Sequence, residues 1–325
     1  MLKDFVISSE ENLLQFYAQS IEPFWQTAVE KASFTSQDGL EIAYACAIHP
    51  QAKGSVVISA GRIEAYIKYK EVVFELYQNG YSVFIHDHRG QGFSGRMTAN
   101  PHLGFVHDFA DYVQDFEQFM QQVVMPHSSH QPMLLAHSMG CAIGFLYCLA
   151  HPQRFSRAVM CAPMFGIRPA LPKWLSSFLL SSHFALSTLL GREYAYFVGQ
   201  KDYVSHAFKG NNLTHSAVRY QIFRDEYVQN PQAQLGGVST HWLRAALQAM
   251  NKIEQHAGDF PLPSLLLQAG SDQVVDNQRQ CRVAEKMRRC QFMPIEHAHH
   301  ELLMEQDQYR QPTMQAILRF LAGLN

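Results

Sequence analysis

The chain has 325 residues, of which 47% are hydrophobic and 17% charged, and this composition predicts a globular protein with a large buried core. A formal net charge of −2 gives no field that would attract the whole molecule to nucleic acid, so the sequence disfavours a nucleic-acid-binding protein. At this length we expect one α/β core that carries an insertion.

The N-terminal segment and the cysteines predict where the protein works. Met1-Leu-Lys-Asp-Phe5 lacks the basic start and long apolar stretch of a secretory signal. No segment approaches the roughly 20 uninterrupted apolar residues of a membrane-spanning helix. The six cysteines form no CxxC pair, and several lie in apolar runs such as Cys141–Cys148, which predicts buried free thiols in a reducing compartment. We therefore expect a cytoplasmic protein, soluble or attached peripherally to the inner face of a membrane.

Short β-branched and apolar runs alternate with longer helical patterns, which predicts a mostly parallel central sheet with helices on both faces. An antiparallel strand is predicted first, at Leu40–Ile48, because it alternates after Asp38-Gly39. The strands predicted after it are Ser55–Ala60, Ser82–Asp87, Met133–His137, Ala158–Ala162, Ser264–Ala269 and Gln291–Ile295. The predicted helices are Tyr66–Gln78, Phe109–Val124, Met139–Ala150, Thr240–Gln255, Asn277–Arg289 and Tyr309–Leu324.

This alternation breaks between Met164 and Val238, where proline and glycine punctuate helical stretches without a buried-strand pattern. We expect residues 164–238 to form a helical cap, or lid, inserted into a core made of residues 1–163 and 239–325. Seven basic and four acidic residues give the insertion a charge of +3, which leaves −5 for the remainder. Within it, Trp174–Leu190 interleaves large apolar residues with Ser and Thr, as in helices that line an acyl-chain pocket or contact lipid. Packing of these helices on the core is the alternative.

The segment from Met133 to Gly144 predicts a nucleophile, because a strand runs directly into a helix with Ser138 between them. A nucleophile at such a turn has a strained backbone, so only small residues fit two positions before and after it. Ala136 and Gly140 meet this demand, although the usual residue at the first position is glycine. The alternative is that Ser138 only caps the helix.

A serine hydroxyl needs a base to remove its proton and an acid to orient that base, and in this arrangement they follow in the order Ser, acid, His. Asp272 comes directly after the predicted strand Ser264–Ala269, at the carboxyl end where such sheets place their sites. Asp276 is the competitor, but its position just before a predicted helix suits a helix cap. We therefore prefer Asp272.

Three histidines after the last strand, His297, His299 and His300, are candidates for the base, and spacing alone does not choose among them. A zinc site is disfavoured, because His300-Glu-Leu-Leu-Met304 has Met where the HExxH pattern needs its second histidine. We expect neither a metal nor an organic cofactor.

With these residues in place, the sequence resembles the monoglyceride lipase and lysophospholipase group of α/β hydrolases, and most closely its bacterial lysophospholipases. The resemblance covers roughly Leu40–Met164 and Thr240–Leu324. It rests on three motifs: a His-Gly-x-x-Glu-like segment in Ser59-Ala-Gly-Arg-Ile-Glu-Ala-Tyr-Ile-Lys-Tyr69, an Asp-x-Arg-Gly-x-Gly-x-Ser loop in Asp87–Gly95, and the Ala136-His-Ser-Met-Gly140 elbow. Ala60 stands where many relatives have His, whereas Glu64 and Tyr69 are in register.

The resemblance implies the α/β-hydrolase fold and assigns the base. Relatives end in Gly-x-x-His-Glu, and His300-Glu301 fills the last two places, with His299 as the fallback and His297 at the place of the glycine. Around Asp272 the family's Gly-x-x-Asp-x-x-Val pattern is one residue shorter.

Acyl transfer also needs donors for the carbonyl oxygen, where negative charge develops. The backbone N–H groups of Met139 and Arg62 are the expected pair, one directly after the nucleophile and one in the loop after the first parallel strand. The Arg62 side chain itself is expected to be structural or solvated.

The resemblance implies a lysophospholipase that forms an acyl-enzyme. A monoacylglycerol lipase or a general carboxylesterase is the alternative within the same chemistry. A non-catalytic lipid-binding relative is the alternative outside it. The expected partners are a lysophospholipid or monoacyl lipid and, through peripheral contact, a membrane.

Overall fold

An eight-stranded sheet forms the centre of the computed structural model, which describes residues 5–168, 180, 182–185, 189 and 194–324. The strands are β1 Glu30–Thr35, β2 Glu41–Ala47, β3 Ser55–Ser59, β4 Ser82–His86, β5 Met133–His137, β6 Ala158–Cys161, β7 Ser264–Ala269 and β8 Cys290–Ile295. Their order in the sheet is β1-β2-β4-β3-β5-β6-β7-β8. The β1–β2 and β2–β4 pairs are antiparallel, and all the other pairs are parallel.

Helices cover both faces of this sheet. Within the described residues, the α-helices are α1 Leu13–Phe16, α2 Glu22–Thr27, α3 Lys70–Gln78, α4 Phe109–Phe119, α5 Met139–Ala150, α6 Ala217–Gln229, α7 Thr240–Gln255, α8 Asn277–Lys286 and α9 Asp307–Leu321. A π-helical turn joins α1 to α2, a 3₁₀ turn precedes α3 and a π-helical turn follows α4. None of the described helices combines the length and the apolar character that crossing a bilayer requires.

The parallel strands are buried on both faces, and their residues alternate between two hydrophobic cores. Val57 packs with α4, α5, α7 and α8 on one face, whereas Val56 and Ile58 pack with α3 and α9 on the other. Leu134 and Leu135 of β5 divide in the same way. Full burial of one such side chain stabilises the fold by about 1.5–3 kcal/mol, so the central strands hold the sheet rigidly beneath the residues at their carboxyl ends.

The predicted parallel strands all occur, with ends that differ by at most one residue, and the predicted helices occur with ends that differ by up to five residues. The prediction missed the N-terminal helices α1 and α2 and the edge strand β1. In β1 only Phe34 is buried, so the strand has no clean alternation that a sequence pattern could reveal. It is held instead by its antiparallel ladder with β2.

The predicted cap region begins after β6 and ends before α7. Its described residues contribute helix α6 and no strand of the main sheet. Isolated bridges connect Ile167 to Val275, Tyr196 to Ser239 and Val238 to Gly104. Of the predicted acyl-chain segment Trp174–Leu190, only residues 180, 182–185 and 189 lie within the described part. The division into core and cap therefore stays a prediction.

All six cysteines are free thiols. Four of them, Cys46, Cys141, Cys148 and Cys161, are buried, as expected. Cys281 and Cys290 are only partly buried, because each lies on an outer element, α8 or the edge strand β8.

Candidate active site

Ser138 occupies the sharp turn between β5 and α5. Its backbone has φ 50° and ψ −116°, a left-handed conformation that a residue with a side chain rarely adopts. Its N–H donates to the carbonyl of Cys161 at 3.0 Å, and its carbonyl accepts from the N–H of Met164 at 3.0 Å, so the neighbouring strand holds the strained turn. The Ser138 side chain makes no capping hydrogen bond to α5, which argues against the helix-cap alternative.

The elbow needs a glycine two residues after Ser138, and the structure shows why. A Cβ atom on Gly140 would overlap the carbonyl oxygens of Ser59 and Ala60 at the end of β3. Ala136, two residues before Ser138, is fully buried in β5 and fits there in place of the usual glycine. Helix α5 can therefore lie directly against β3, which brings Ser138 beside the loop that follows β3.

A chain of two hydrogen bonds connects three of the predicted residues. The Nε2 atom of His300 lies 3.0 Å from Oγ of Ser138, and its Nδ1 atom lies 2.7 Å from Oδ2 of Asp272. The residues are only 7% (Ser138), 4% (His300) and 6% (Asp272) exposed. Asp272 follows β7 and His300 follows β8, so the carboxyl ends of neighbouring parallel strands bring all three together.

The carboxylate of Asp272 is held in its ionised form. Burial acts to raise its pKa, but the hydrogen bond and charge of His300 and the N–H groups of Val274 and Val275 bring the pKa below its ordinary value. The competitor, Asp276, instead accepts a hydrogen bond from the N–H of Arg279 at 3.1 Å and caps α8. This is the role that the sequence suggested for it.

The other two candidate histidines lie outside this chain of hydrogen bonds. His297 is exposed and has φ 64°, a left-handed conformation that glycine adopts without strain, in keeping with the glycine that the resemblance implies at this place. The ring of His299 stacks on that of His215, with 3.7 Å between the ring centroids. Only His300 therefore reaches Ser138.

The two predicted oxyanion donors, the N–H groups of Arg62 and Met139, have no hydrogen-bond acceptor among the described residues. The guanidinium of Arg62 is engaged elsewhere: it donates to the carbonyl of Gly236 at 2.5 Å and lies 5.2 Å from the ring centroid of Trp242. Burial lowers the pKa of Arg62 to about 10. The Arg62 side chain is therefore occupied by contacts within the protein.

The loop after β4 supports the loop that carries Arg62. The amide of Gln91 donates to the carbonyls of Gly61 and Glu64 at 2.8 and 2.9 Å. The ring of His88 donates through Nε2 to the carbonyl of Ala60, at 3.1 Å, and burial lowers the pKa of His88 to about 4, so the ring is neutral. The Asp87–Gly95 motif thus fixes the backbone on which one predicted oxyanion donor lies.

Sequence reasoning missed a buried cluster of charges next to the site. Lys68 bridges the carboxylates of Glu64 and Glu301, at 2.8 and 2.7 Å, and the ring of His137 hydrogen-bonds Glu64 at 3.0 Å. Two signals were available in the sequence. His137 directly precedes Ser138, and Lys68 lies four residues after Glu64.

Two groups of side chains among the described residues are close enough to hold a metal ion in principle. Glu64, His137 and Glu301 form the first, but the ammonium of Lys68 already lies between the two carboxylates and supplies the cation. The second group is His215, His299 and Glu305. Its carboxylate, Glu305, already pairs with the ring of His215 at 2.8 Å and accepts from the N–H of His299 at 2.7 Å.

Comparisons with known proteins agree on the family and the fold. The family model described as serine aminopeptidase, S33, matches residues 50–307. Lysophospholipase L2 from Escherichia coli (strain K12) is 36% identical over 96% of this chain and 92% of that protein. Monoglyceride lipase from Rattus norvegicus is 28% identical over 70% of this chain and 67% of that protein. The structure of a soluble variant of monoglyceride lipase from Saccharomyces cerevisiae aligns with a TM-score of 0.69 at 17% identity, over 91% of this chain and 97% of that one.

The mostly parallel sheet, the strained serine between β5 and α5 and these likenesses define an α/β hydrolase, so the predicted fold class is confirmed. The chain belongs to the serine aminopeptidase S33 family of hydrolases, whose model matches more than half of its length. The predicted resemblance to bacterial lysophospholipases and monoglyceride lipases is confirmed as well.

Proposed function

We propose that the protein hydrolyses the acyl ester of lysophospholipids, with Ser138 as nucleophile, His300 as general base and Asp272 as the acid that orients the base. The buried chain of hydrogen bonds from Ser138 through His300 to Asp272 carries the proposal for the chemistry. The proposal for the substrate is supported by the 36% identity with lysophospholipase L2 over nearly the whole of both chains.

In the proposed reaction, Oγ of Ser138 attacks the acyl carbonyl while Nε2 of His300 takes the hydroxyl proton. The negative charge on the carbonyl oxygen is stabilised by the N–H groups of Arg62 and Met139. When the tetrahedral intermediate collapses, the glycerol oxygen leaves with the proton from His300, and the acyl group stays on Ser138. A water molecule, deprotonated by His300, then releases the fatty acid and restores the serine.

Asp272 acts through the imidazole and stays ionised throughout. Its Oδ2 atom accepts the Nδ1–H of His300, which leaves the lone pair of Nε2 facing Ser138. The lowered pKa of Asp272 keeps the carboxylate charged when His300 becomes an imidazolium, so the two opposite charges stabilise each other.

Not every basic residue of the proposed cap, residues 164–238, is available to bind a head group. Arg219 is buried and ion-paired with Glu71 and Asp307, each at 3.0 Å. Its side chain therefore stabilises the fold and is not available to bind a head group. Arg168, Lys201 and Lys209 are exposed. These three side chains carry the proposal that the cap meets the phosphate of a lipid head group.

The same region supports peripheral contact with a lipid surface. Five large apolar side chains between residues 189 and 208 are 37% to 82% exposed: Leu189, Tyr194, Val198, Val204 and Phe208. Exposed apolar groups close to basic residues bind the interface of an anionic membrane through burial and charge together. We therefore place the cap, acting as a lid over the site, at the membrane surface.

The substrate proposal is tested by kcat/KM on lysophosphatidylcholine, lysophosphatidylethanolamine, monoacylglycerol and short p-nitrophenyl esters, at low and high ionic strength. We expect lysophospholipids to be the best substrates and their kcat/KM to fall with salt, because salt screens the exposed basic residues. Lys209→Gln should reduce this salt dependence, whereas Lys286→Gln, the same change outside the cap, should leave it unaltered.

The outcomes separate the alternatives. A preference for monoacylglycerol without a salt effect would favour a monoacylglycerol lipase, in line with the 28% identity with the rat enzyme. A preference for short neutral esters would leave a general carboxylesterase. Lipid binding without turnover of any ester would indicate a non-catalytic relative.

A further inference from the structure

A fully buried histidine stands directly before the nucleophile. His137 ends β5, is 1% exposed and has a hydrogen-bond partner at each ring nitrogen. Its Nδ1 atom lies 3.0 Å from Oε1 of Glu64, and its Nε2 atom lies 3.2 Å from the backbone carbonyl oxygen of His300. The ring therefore connects the loop after β3 to the backbone of the residue proposed as the base.

Both partners of His137 are acceptors. A backbone carbonyl oxygen has no proton to donate, so Nε2 must carry one. The carboxylate of Glu64 already receives Lys68 on Oε1 and both the Tyr69 hydroxyl and the N–H of Gly61 on Oε2. These donors hold Glu64 as a carboxylate: burial acts to raise its pKa, but the charge and hydrogen bond of Lys68 act against this, and the pKa lies well below its ordinary value. The proton between Oε1 of Glu64 and Nδ1 of His137 therefore lies on Nδ1.

We infer that His137 is an imidazolium at neutral pH and a positioning residue, which fixes the backbone of His300 relative to Ser138 through its Nε2–H. This inference rests on the proposed roles of His300 and Ser138. The positive charge of His137 is balanced within the cluster, because Glu64 and Glu301 supply two negative charges and Lys68 the second positive one.

The electrostatic surroundings agree with the geometry. Burial acts to lower the pKa of His137, but the charges of Glu64 and Glu301 and the hydrogen bond to Glu64 outweigh it and raise the pKa to about 9. Lys68, which faces the same carboxylates, opposes this shift. The other titratable groups around the cluster are Tyr69, which donates to Glu64, and His300, whose ring centroid lies 5.0 Å from that of His137.

The hydrogen bond from His137 to the carbonyl of His300 positions the base without contacting the substrate. His300 follows β8 at the end of an irregular loop, and its ring must stay within hydrogen-bond distance of Ser138 on a different strand. A donor fixed on the strand of Ser138 and aimed at the carbonyl of His300 removes that freedom. Loss of this donor should lower kcat and leave KM nearly unchanged, because ground-state binding of the lipid does not depend on the base.

Two substitutions separate the two ring nitrogens. The amide nitrogen of Asn reaches the place of Nδ1 and that of Gln reaches the place of Nε2, so His137→Asn keeps the bond to Glu64 and His137→Gln keeps the bond to the His300 carbonyl. With a p-nitrophenyl ester, we expect kcat to fall roughly 10- to 100-fold in His137→Asn. In His137→Gln the loss of kcat should be several times smaller, because the bond to the His300 carbonyl is kept. His256→Asn, in which the replaced ring also pairs with a carboxylate at 3.0 Å but is exposed, should leave kcat unchanged.

The protonation state is measured directly by ¹⁵N NMR of the wild-type protein with labelled histidine, the His137 signal being the one that disappears in His137→Asn. We expect both nitrogens of His137 to have imidazolium shifts at pH 7.5. His86 provides the internal contrast, because it is equally buried and burial lowers its pKa, so its ring should be neutral.

A neutral His137 ring at pH 7.5, or a folded His137→Asn protein with wild-type kcat, would overturn the inference. If His137→Asn fails to fold, the signal that disappears in His137→Gln assigns His137, and the NMR measurement on the wild type decides. Failure of the proposed function is a separate result, since it would appear as a wild-type protein without esterase activity whatever the state of His137.

Discussion

At the scale of single residues, the site depends on the strained backbone of Ser138 and on His300, whose ring has a hydrogen-bond partner at each nitrogen. The positive φ of Ser138 directs its side chain out of the end of the sheet, and His300 lies between it and Asp272. The residue types and their order could be predicted from sequence, since each follows a strand of a parallel sheet. The choice of His300 over its neighbours needed the family resemblance, because three histidines within four residues follow the same strand.

Asp272→Asn should reduce kcat on the order of ten-thousand-fold, because an amide at this position donates to Nδ1 and holds the imidazole in the wrong tautomer. Asp276→Asn is the matched control, and it should reduce kcat less than tenfold because asparagine also caps a helix well. Steady-state kinetics of the two variants decide the matter. A larger loss in Asp276→Asn would show that the acid has been assigned to the wrong residue.

The charged cluster predicts how stability depends on pH. The pKa of His137 is raised from its ordinary 6.5 to about 9, so its contribution to the free energy of unfolding is fully present below pH 6.5 and is lost as the pH rises through 9. The loss should reach the order of 3 kcal/mol. Urea unfolding of wild type and His137→Asn from pH 6 to 10 measures it as the difference between the two proteins. Parallel pH profiles would contradict the raised pKa.

At the scale of elements, the close approach of α5 to β3 is the contact that places Ser138 at the end of the sheet. It is possible because Gly140 has no Cβ where the carbonyls of Ser59 and Ala60 lie. The sequence predicted β5, α5 and the small residues around Ser138, but not the contact of α5 with β3. It did not predict β1, α1 or α2, whose stability comes from pairing and packing that leave little periodic pattern.

Gly140→Ala should lower the free energy of unfolding by about 2–3 kcal/mol and reduce kcat, because the added methyl meets backbone atoms that cannot move aside. Gly258→Ala is the control, since a Cβ there would meet only the carbonyl oxygen of Lys286 at an ordinary 3.6 Å. Chemical denaturation and kinetics of the two variants test the prediction. Equal stability of both would mean that the elbow tolerates a larger residue.

At the scale of the whole molecule, the proposed function divides the work between the core and the proposed cap, residues 164–238. In the proposal, the core supplies the reacting groups, and the cap meets the lipid through the exposed side chains of Arg168, Lys201 and Lys209. The charge of the cap could be counted from the sequence, but not which of its charged side chains are buried in ion pairs. Arg219 shows the difference, because its partners Glu71 and Asp307 lie 148 and 88 residues away along the chain.

The buried cluster around His137 was beyond sequence reasoning for the same reason. Glu64 and Lys68 are neighbours on one turn, but Glu301 and the carbonyl of His300 come from the other end of the chain. Only the folded sheet brings them to His137. A sequence pattern therefore predicts the site residues that directly follow strands. Ion pairs between buried residues that are far apart in the sequence can be identified only from the folded structure.

The central claim, that Ser138 is the nucleophile, is tested most directly by labelling with a fluorophosphonate followed by peptide mass spectrometry. We predict one adduct per chain, on Ser138, formed in parallel with the loss of esterase activity. Ser138→Ala should be unlabelled and folded, with turnover reduced on the order of a million-fold. An adduct on another serine, or a Ser138→Ala protein that keeps its activity, would contradict the account.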